Sequence, residues 1–252
     1  MGFITSVLAA AIASGAAILY AALGEVFAER AGVLNLGVEG MMLVGALSGF
    51  AICYWTESAI LGAIGALVCG SLMAWIHALL TITLRANQVV SGLALTLFGQ
   101  GATAYLGSTL VGKPAPDRFS KLAIPLVSDI PRLGTILFRQ DALVYLAYVV
   151  VPVAWWFIFR TRPGLNLRAV GENPATADAM GLNVAITRYI YVMIGGAFAG
   201  LGGAVISLAT NPGWSENLTA GRGWIAVALV IFGTWNPARV AFGALLFGAV
   251  EA

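Results

Sequence analysis

The chain has 252 residues, of which 60% are hydrophobic and only 10% charged, with 13 basic against 11 acidic side chains. Soluble domains are about 45–50% apolar and about 25% charged, so this composition belongs in a bilayer. A formal net charge of +2 without a basic stripe excludes a nucleic-acid surface. The one histidine and the two cysteines, Cys53 and Cys69 in apolar runs, offer no metal ligand set and no disulfide framework, and no cofactor is expected.

A membrane-spanning helix needs about 20 mostly apolar residues. The N-terminal stretch MGFITSVLAAAIASGAAILYAALGEVFAER has no basic leader, and its apolar run exceeds the roughly 7–15 residues of a signal-peptide core. It is therefore expected to be a retained first span, about 4–27. Further spans are expected at about 32–55, 59–83, 88–110, 142–159 and 189–210, then two shorter apolar runs at about 222–234 and 240–252. No segment alternates over the ~9–11 residues of a barrel strand. The expected fold is all-α, a single polytopic transmembrane helical bundle over residues 1–252 with about eight membrane elements, some broken or re-entrant. The last run, VAFGALLFGAVEA, is too short to span and lacks a cap or polar tail, so the protein is expected to continue beyond it.

Two connections stand out: VGKPAPDRFSKLAIPLVSDIPRLGTILFRQ (111–140) and TRPGLNLRAVGENPATADAMGLNVAITR (161–188). One span separates them, so they lie on opposite faces of the membrane. The positive-inside rule does not orient them. Arg30, Arg85, Arg160, Arg162, Arg168, Arg188 and Arg239 fall with the second connection, and Lys113, Arg118, Lys121, Arg132, Arg139 and Arg222 with the first, seven against six.

Small residues at small-xxx-small spacing, Gly62, Ala66 and Gly70 in one row and Gly196 and Gly200 in another, predict closely packed helices. GLGGAV (200–205) follows no strand, so helix packing explains it better than a dinucleotide loop. GSTLVGKP (107–114) fits G-x-x-x-x-G-K, but Pro114 stands where a P-loop needs a hydroxyl, and an apolar span precedes it. No nucleotide site is expected on this chain.

Ionisable groups at membrane depth are costly, about 2.5–3.5 kcal/mol on insertion scales, and each is a functional candidate. ERAGVLNLGVEGMMLVGA (29–46) carries Asn35 and Glu39 one helical turn apart, amid glycines that make it a weak helix. It is expected to be broken or unwound, with Asn35 and Glu39 either beside a polar path or holding the break closed. RANQVVSGLALTLFGQGATAYL opens another span with Asn87, Gln88, Ser91, Thr96 and Gln100; its amides and hydroxyls suit a neutral polyhydroxyl or base-bearing solute, or hydrogen bonds between helices. His77, in a greasy run, is expected to be a satisfied interhelical histidine. The tryptophans Trp55, Trp155, Trp156, Trp214, Trp224 and Trp235 fall mostly at span ends, where interface anchoring explains them; Trp224 beside Arg222 could instead stack on a solute base.

In the second connection, Asn173 and Pro174 are placed as the cap and first residue of a short helix, ATADAM, with Gly181 at its C′ position. With Arg168, Glu172 and Asp178 around it, this helix is a candidate docking element on a membrane face.

Four separated motifs, ERAGVLNLGVEGMMLVGA, NQVVSGLALTLFGQGATAYL, GLNLRAVGENPATADAMGLNV and TAGRGWIAVALVIFGTWNP, resemble the permease subunits of bacterial ABC importers in the branched-chain amino acid and ribose permease superfamily, most of all the nucleoside and simple-sugar permeases. The resemblance runs in order along nearly the whole chain. It implies a multi-pass protein of the bacterial plasma (inner) membrane with no covalent chemistry of its own. The implied partners are an ABC ATPase subunit, a second permease subunit (identical or paralogous), an extracytoplasmic solute-binding lipoprotein and the surrounding lipid. It also implies that the segment from Arg168 through Glu172, Asn173, Ala175 and Asp178 to Gly181 is cytoplasmic and docks on the ATPase. ATADAMG (175–181) loosely resembles the EAA-x-x-x-G coupling signature, with Ala175 where that signature has glutamate. Asn35 and Glu39 would then mark a discontinuous element lining or gating the translocation path, with Asn87, Gln88, Ser91, Gln100 and Trp224 as further path residues.

The competing expectation is an ion- or proton-coupled secondary transporter of a small polar solute. Such carriers show inverted repeats with paired broken helices. Here only a faint echo links AGVLNLGVEGMMLVG (31–45) to AGRGWIAVALVIFG (220–233), and no relay of acids and histidines crosses the spans. An intramembrane enzyme would want a nucleophile with its base or a metal pair, and neither HExxH nor GxSxG occurs.

Overall fold

The computed structural model describes residues 3–125, 127–128, 130 and 133–251. Among the described residues, six helical stretches are long and apolar enough to cross a membrane: Thr5–Arg30, Val38–Thr56, Ala59–Thr83, Gln88–Leu110, Ala142–Arg160 and Val184–Thr210. They belong to α1 (Phe3–Arg30), α2 (Val38–Thr56), α3 (Ala59–Ala78), α4 (Gln88–Gly107), α6 (Ala142–Arg160) and α9 (Val184–Val205). α3 and α9 each close in a π-helical turn, Leu79–Thr83 and Ile206–Thr210. Two shorter helices, α10 (Arg222–Phe232) and α11 (Pro237–Glu251), complete the membrane-depth elements. The fold is the polytopic α-helical bundle that the hydropathy demands.

The connections carry more structure than the sequence suggests. Where a single short helix is expected in 161–188, there are two, α7 (Arg162–Glu172) and α8 (Pro174–Ala179). α7 has few apolar residues, so hydropathy does not reveal it. Its start is nonetheless legible, because Thr161 Oγ1 accepts from Gly164 N–H at 3.2 Å and Pro163 sits in the first turn. The 111–140 connection holds α5 (Leu133–Leu137) and a minimal antiparallel pairing of β1 (Leu122–Ala123) with β2 (Arg139–Gln140). Arg132 lies outside the described residues.

α9 is the central helix and packs on α1, α2 and α3. Its small residues allow this. A methyl group on Gly200 would strike the Ala66 carbonyl of α3, one on Gly70 would strike the Gly196 carbonyl, and one on Gly45 of α2 would strike the Gly200 backbone. The two predicted glycine rows are thus the seams of the bundle. α4 and α6 are peripheral, with Leu97, Phe98, Tyr105, Val149 and Trp156 exposed as a lipid-facing surface requires. Trp214 departs from the expected interface belt: it is 3% exposed, with its indole packed where a side chain on Gly107 would stand.

α1 and α6 end at one face together with α7 and α8; the Arg188 guanidinium donates from Nε to Ala31 O at 3.1 Å there, and Gly171 packs on the Arg30 carbonyl. The 111–140 and 211–221 connections gather at the opposite face, where Phe119 N–H donates to Leu208 O at 3.0 Å and Pro114 bridges to Gly213.

Candidate functional site

Between α1 and α2 the chain is not helical over 31–37. Gly32, at φ +80°, reverses the chain in a conformation open to glycine at little cost. Asn35 then forms a local turn, its Oδ1 accepting from Gly37 N–H at 3.0 Å. A backbone without helical bonds at membrane depth must find partners elsewhere. Glu25 Oε1 accepts from Asn35 N–H (2.9 Å), and Gln88 Oε1 from Leu34 N–H (2.8 Å). Thr96 donates its hydroxyl to Leu36 O (3.0 Å). His77 Nε2 donates to Leu34 O (3.1 Å), which in the neutral ring leaves Nδ1 to accept from the Ser91 hydroxyl (3.0 Å). Gln88, Ser91 and Thr96 of α4 thus converge with His77 on the unwound segment that carries Asn35. Glu25, buried in the first span, joins them; its only sequence signal is a carboxyl at membrane depth.

Glu39, in the first turn of α2, is 1% exposed and reaches across to the start of α10. Its Oε1 accepts from the Thr219 hydroxyl (2.5 Å) and Gly221 N–H (2.9 Å), and its Oε2 from Gly223 N–H (2.7 Å). Ala220 and Gly221 both have positive φ, and the turn they make presents the Gly221 and Gly223 N–H groups to the carboxylate. α10 rises about 16 Å over its 11 residues toward the face where Trp235 donates its indole N–H to Glu29. The Glu39 carboxylate therefore lies well away from that face, between the N-termini of α2 and α10, where helix dipoles attract acidic groups. The two segments that echo each other in sequence, 31–45 and 220–233, meet at this carboxylate.

The remaining predicted path residues are more dispersed. Asn87 caps α4, its Oδ1 accepting from Val90 N–H at 3.2 Å. Gln100 is half-buried further along α4, and Trp224, in the first turn of α10, is 38% exposed. At the other end of the molecule, a cavity of about 300 Å³ between the two connections is lined by Lys113, Pro114, Asn211, Trp214 and Ser215.

At the α7–α8 face, Asn173 caps α8 by accepting from Thr176 N–H at 3.0 Å, Pro174 is its first residue, and Gly181, at φ +83°, reverses the chain after it. Ala175 and Asp178 line a groove of about 730 Å³ between α8 and the end of α3, together with Arg85 and Arg188. Arg168 of α7 stacks over the Phe159 ring, with Arg30 over the same ring, and the charges of Arg168 and Glu172 both act on Arg30. Among the described residues no group of acids, histidines and cysteines is arranged to hold a metal ion.

Residues 7–252 match the model of the branched-chain amino acid transport system permease component family. The chain belongs to that family. This permease is similar over its whole length to a Haloferax volcanii protein provisionally named a glucose ABC transporter permease (47% identity, covering 78% of the relative). A guanosine ABC transporter permease of Bacillus subtilis is 38% identical over 96% of the permease and 79% of the relative. A nucleoside ABC transporter permease of Lactococcus lactis is 37% identical over 92% and 76%. No solved structure gives a significant match. The chain is thus a multi-pass membrane permease subunit of an ABC importer, and a permease of this kind works with an ATPase and a binding protein. The match decides against the secondary carrier, even though two broken helices do meet at its centre.

Proposed function

We propose that this permease carries a hydroxyl-bearing solute, a nucleoside or a simple sugar, into the cell by alternating access powered by a separate ATPase. The observation that carries the proposal is the match to permeases named for guanosine, nucleosides and glucose over nearly the full chain. In this reading two permease chains, identical or paralogous, pair in the membrane, and an extracytoplasmic lipoprotein delivers solute to the face formed by 111–140 and 211–221. α8, with Arg168, Glu172, Asn173, Ala175, Asp178 and Gly181 around it, is the cytoplasmic element that docks on the ATPase. Its rigid caps and the groove beside it support that role. Of the path residues, Asn35, Glu39, Gln88 and Ser91 hold the interrupted helices together beside the path without touching solute, with Glu39 as their joint, and Asn87, Gln100 and Trp224 frame it. ATP-driven closure of the ATPases then moves α8 and, through the bundle, the joint.

The test is uptake of radiolabelled guanosine, uridine, ribose and glucose into cells with and without the gene, repeated after ATP depletion with the proton gradient held. Gene-dependent uptake that disappears with ATP is expected, and Gly181→Trp should abolish it while the receptor still binds solute. Uptake that survives ATP loss and collapses with the gradient would overturn the proposal, and normal uptake by Gly181→Trp would overturn the docking role of α8.

A further inference from the structure

A second polar region, at the far end of α1 and α9 from α7 and α8, is built differently from the joint at Glu39. Between α1, the end of α9 and the start of α10 lies a cavity of about 270 Å³, close to the lower end of the ~300–1,000 Å³ range of small-molecule sites. Ser14, Thr210, Asn211 and Arg222 bring polar side chains to it, and Ala17 and Ile206 form apolar wall. Ser14 lies 16 residues before the end of α1, about 24 Å from the α7–α8 face, and Thr210 ends the last span, so the cavity opens near the opposite face.

The polar groups here are open. Among the described residues, the side chains of Ser14, Thr210 and Asn211 make no hydrogen bond with the protein. The Arg222 charge is already answered: its guanidinium pairs with Glu251 at 3.0 Å, and Nη1 donates to Leu218 O and Thr219 O, both at 3.3 Å. The cavity therefore offers two hydroxyls and an amide with no net charge, against an apolar wall. Thr210 and Asn211 are exposed and Ser14 half-buried, so their polar atoms are free to meet a ligand that enters the cavity. The π-turn Ile206–Thr210 fixes two of them, with Asn211 N–H returning to Ile206 O at 2.8 Å. Asn211 and Leu218 also line the outer cavity beside Lys113 and Trp214, so the 211–218 loop is the partition between the two chambers.

We infer that this inner cavity is a solute subsite for an uncharged polyol, in which Asn211, Thr210 and Ser14 hydrogen-bond the hydroxyls of a sugar or a nucleoside's ribose, and that the 211–218 loop separates it from the outer vestibule. The subsite rests on the importer reading above. Hydroxyl ligands match paired donors and acceptors on both sides, and the neutralised arginine gives no preference for anions.

The test uses the assembled importer, with its ATPase and receptor, in proteoliposomes offered radiolabelled glucose or guanosine. Asn211→Leu and Thr210→Val should each raise the KM for uptake roughly tenfold while the importer still assembles, and Thr210→Ser should recover uptake. A correctly assembled variant with wild-type KM would overturn the subsite. If the variants fail to assemble, Thr210→Cys with Cys53 and Cys69 replaced by alanine is labelled with a hydrophilic methanethiosulfonate. Slower labelling in the presence of receptor and transported solute supports the subsite, and unchanged labelling overturns it. Absence of ATP-dependent uptake of either probe by the wild type would overturn the importer reading and the subsite with it, whereas uptake unaffected by every variant would overturn the subsite alone.

Discussion

The two polar regions of the bundle contain similar residue types and treat them in opposite ways. Around 31–39 the carbonyls of Leu34 and Leu36, the N–H groups of Leu34 and Asn35, and both Glu39 oxygens have protein partners. Around Thr210 and Asn211 the side chains face a cavity without protein partners. A polar group out of water must be hydrogen-bonded or met by a ligand. The closed region therefore acts as a joint, holding two interrupted helices together, and the open one is the subsite proposed above for a moving solute. Burial separates them as well: Asn35 and Glu39 are each 1% exposed, whereas Thr210 and Asn211 are exposed.

Substitutions should separate them in the same way. The largest effect is expected from Glu39→Leu, which strips the acceptor from the Thr219 hydroxyl and the N–H groups of Gly221 and Gly223 at once. At about 1–3 kcal/mol per buried unsatisfied group, folded permease should be scarce when membranes are solubilised and analysed by size exclusion. Glu39→Gln should lose less, because the amide oxygen keeps one acceptor. A normal yield of Glu39→Leu would break the distinction between joint and path. Gln88→Leu comes next: it leaves Leu34 N–H without its partner and should cost about 1–3 kcal/mol, visible as a midpoint several degrees lower in thermal unfolding in detergent. Asn173→Ala, which removes the α8 cap, should cost about 1 kcal/mol and confine increased amide exchange to α8. Gly181→Ala is the smallest, about 1 kcal/mol or less of local strain at a left-handed position, read as a slight loss of uptake with folding intact.

Much of this was legible in the sequence because it follows from strong local rules. The six spans follow from length and hydropathy. The caps of α8 follow from Asn173, Pro174 and Gly181, and the break before α2 from glycine density around Asn35. α7 was harder, since an 11-residue helix with few apolar side chains leaves only the Thr161 cap and Pro163 as signals. The partners of the buried polar groups were not legible. Glu39 meets residues about 180 positions away, and no spacing rule connects them. Trp214 sits at a span end in sequence yet is buried, because the 211–221 connection folds back into the bundle. Ser14, Thr210 and Asn211 share a cavity only because α1 and α9 pack together, and each alone looks like an ordinary helix-end residue.

The most direct test compares Gln88→Leu with Asn211→Leu in one reconstituted importer, measuring the unfolding midpoint and the KM for glucose or guanosine uptake on each. The account predicts that Gln88→Leu lowers the midpoint with KM unchanged, and that Asn211→Leu raises KM with the midpoint unchanged. A raised KM for Gln88→Leu together with a lowered midpoint and unchanged KM for Asn211→Leu would contradict it.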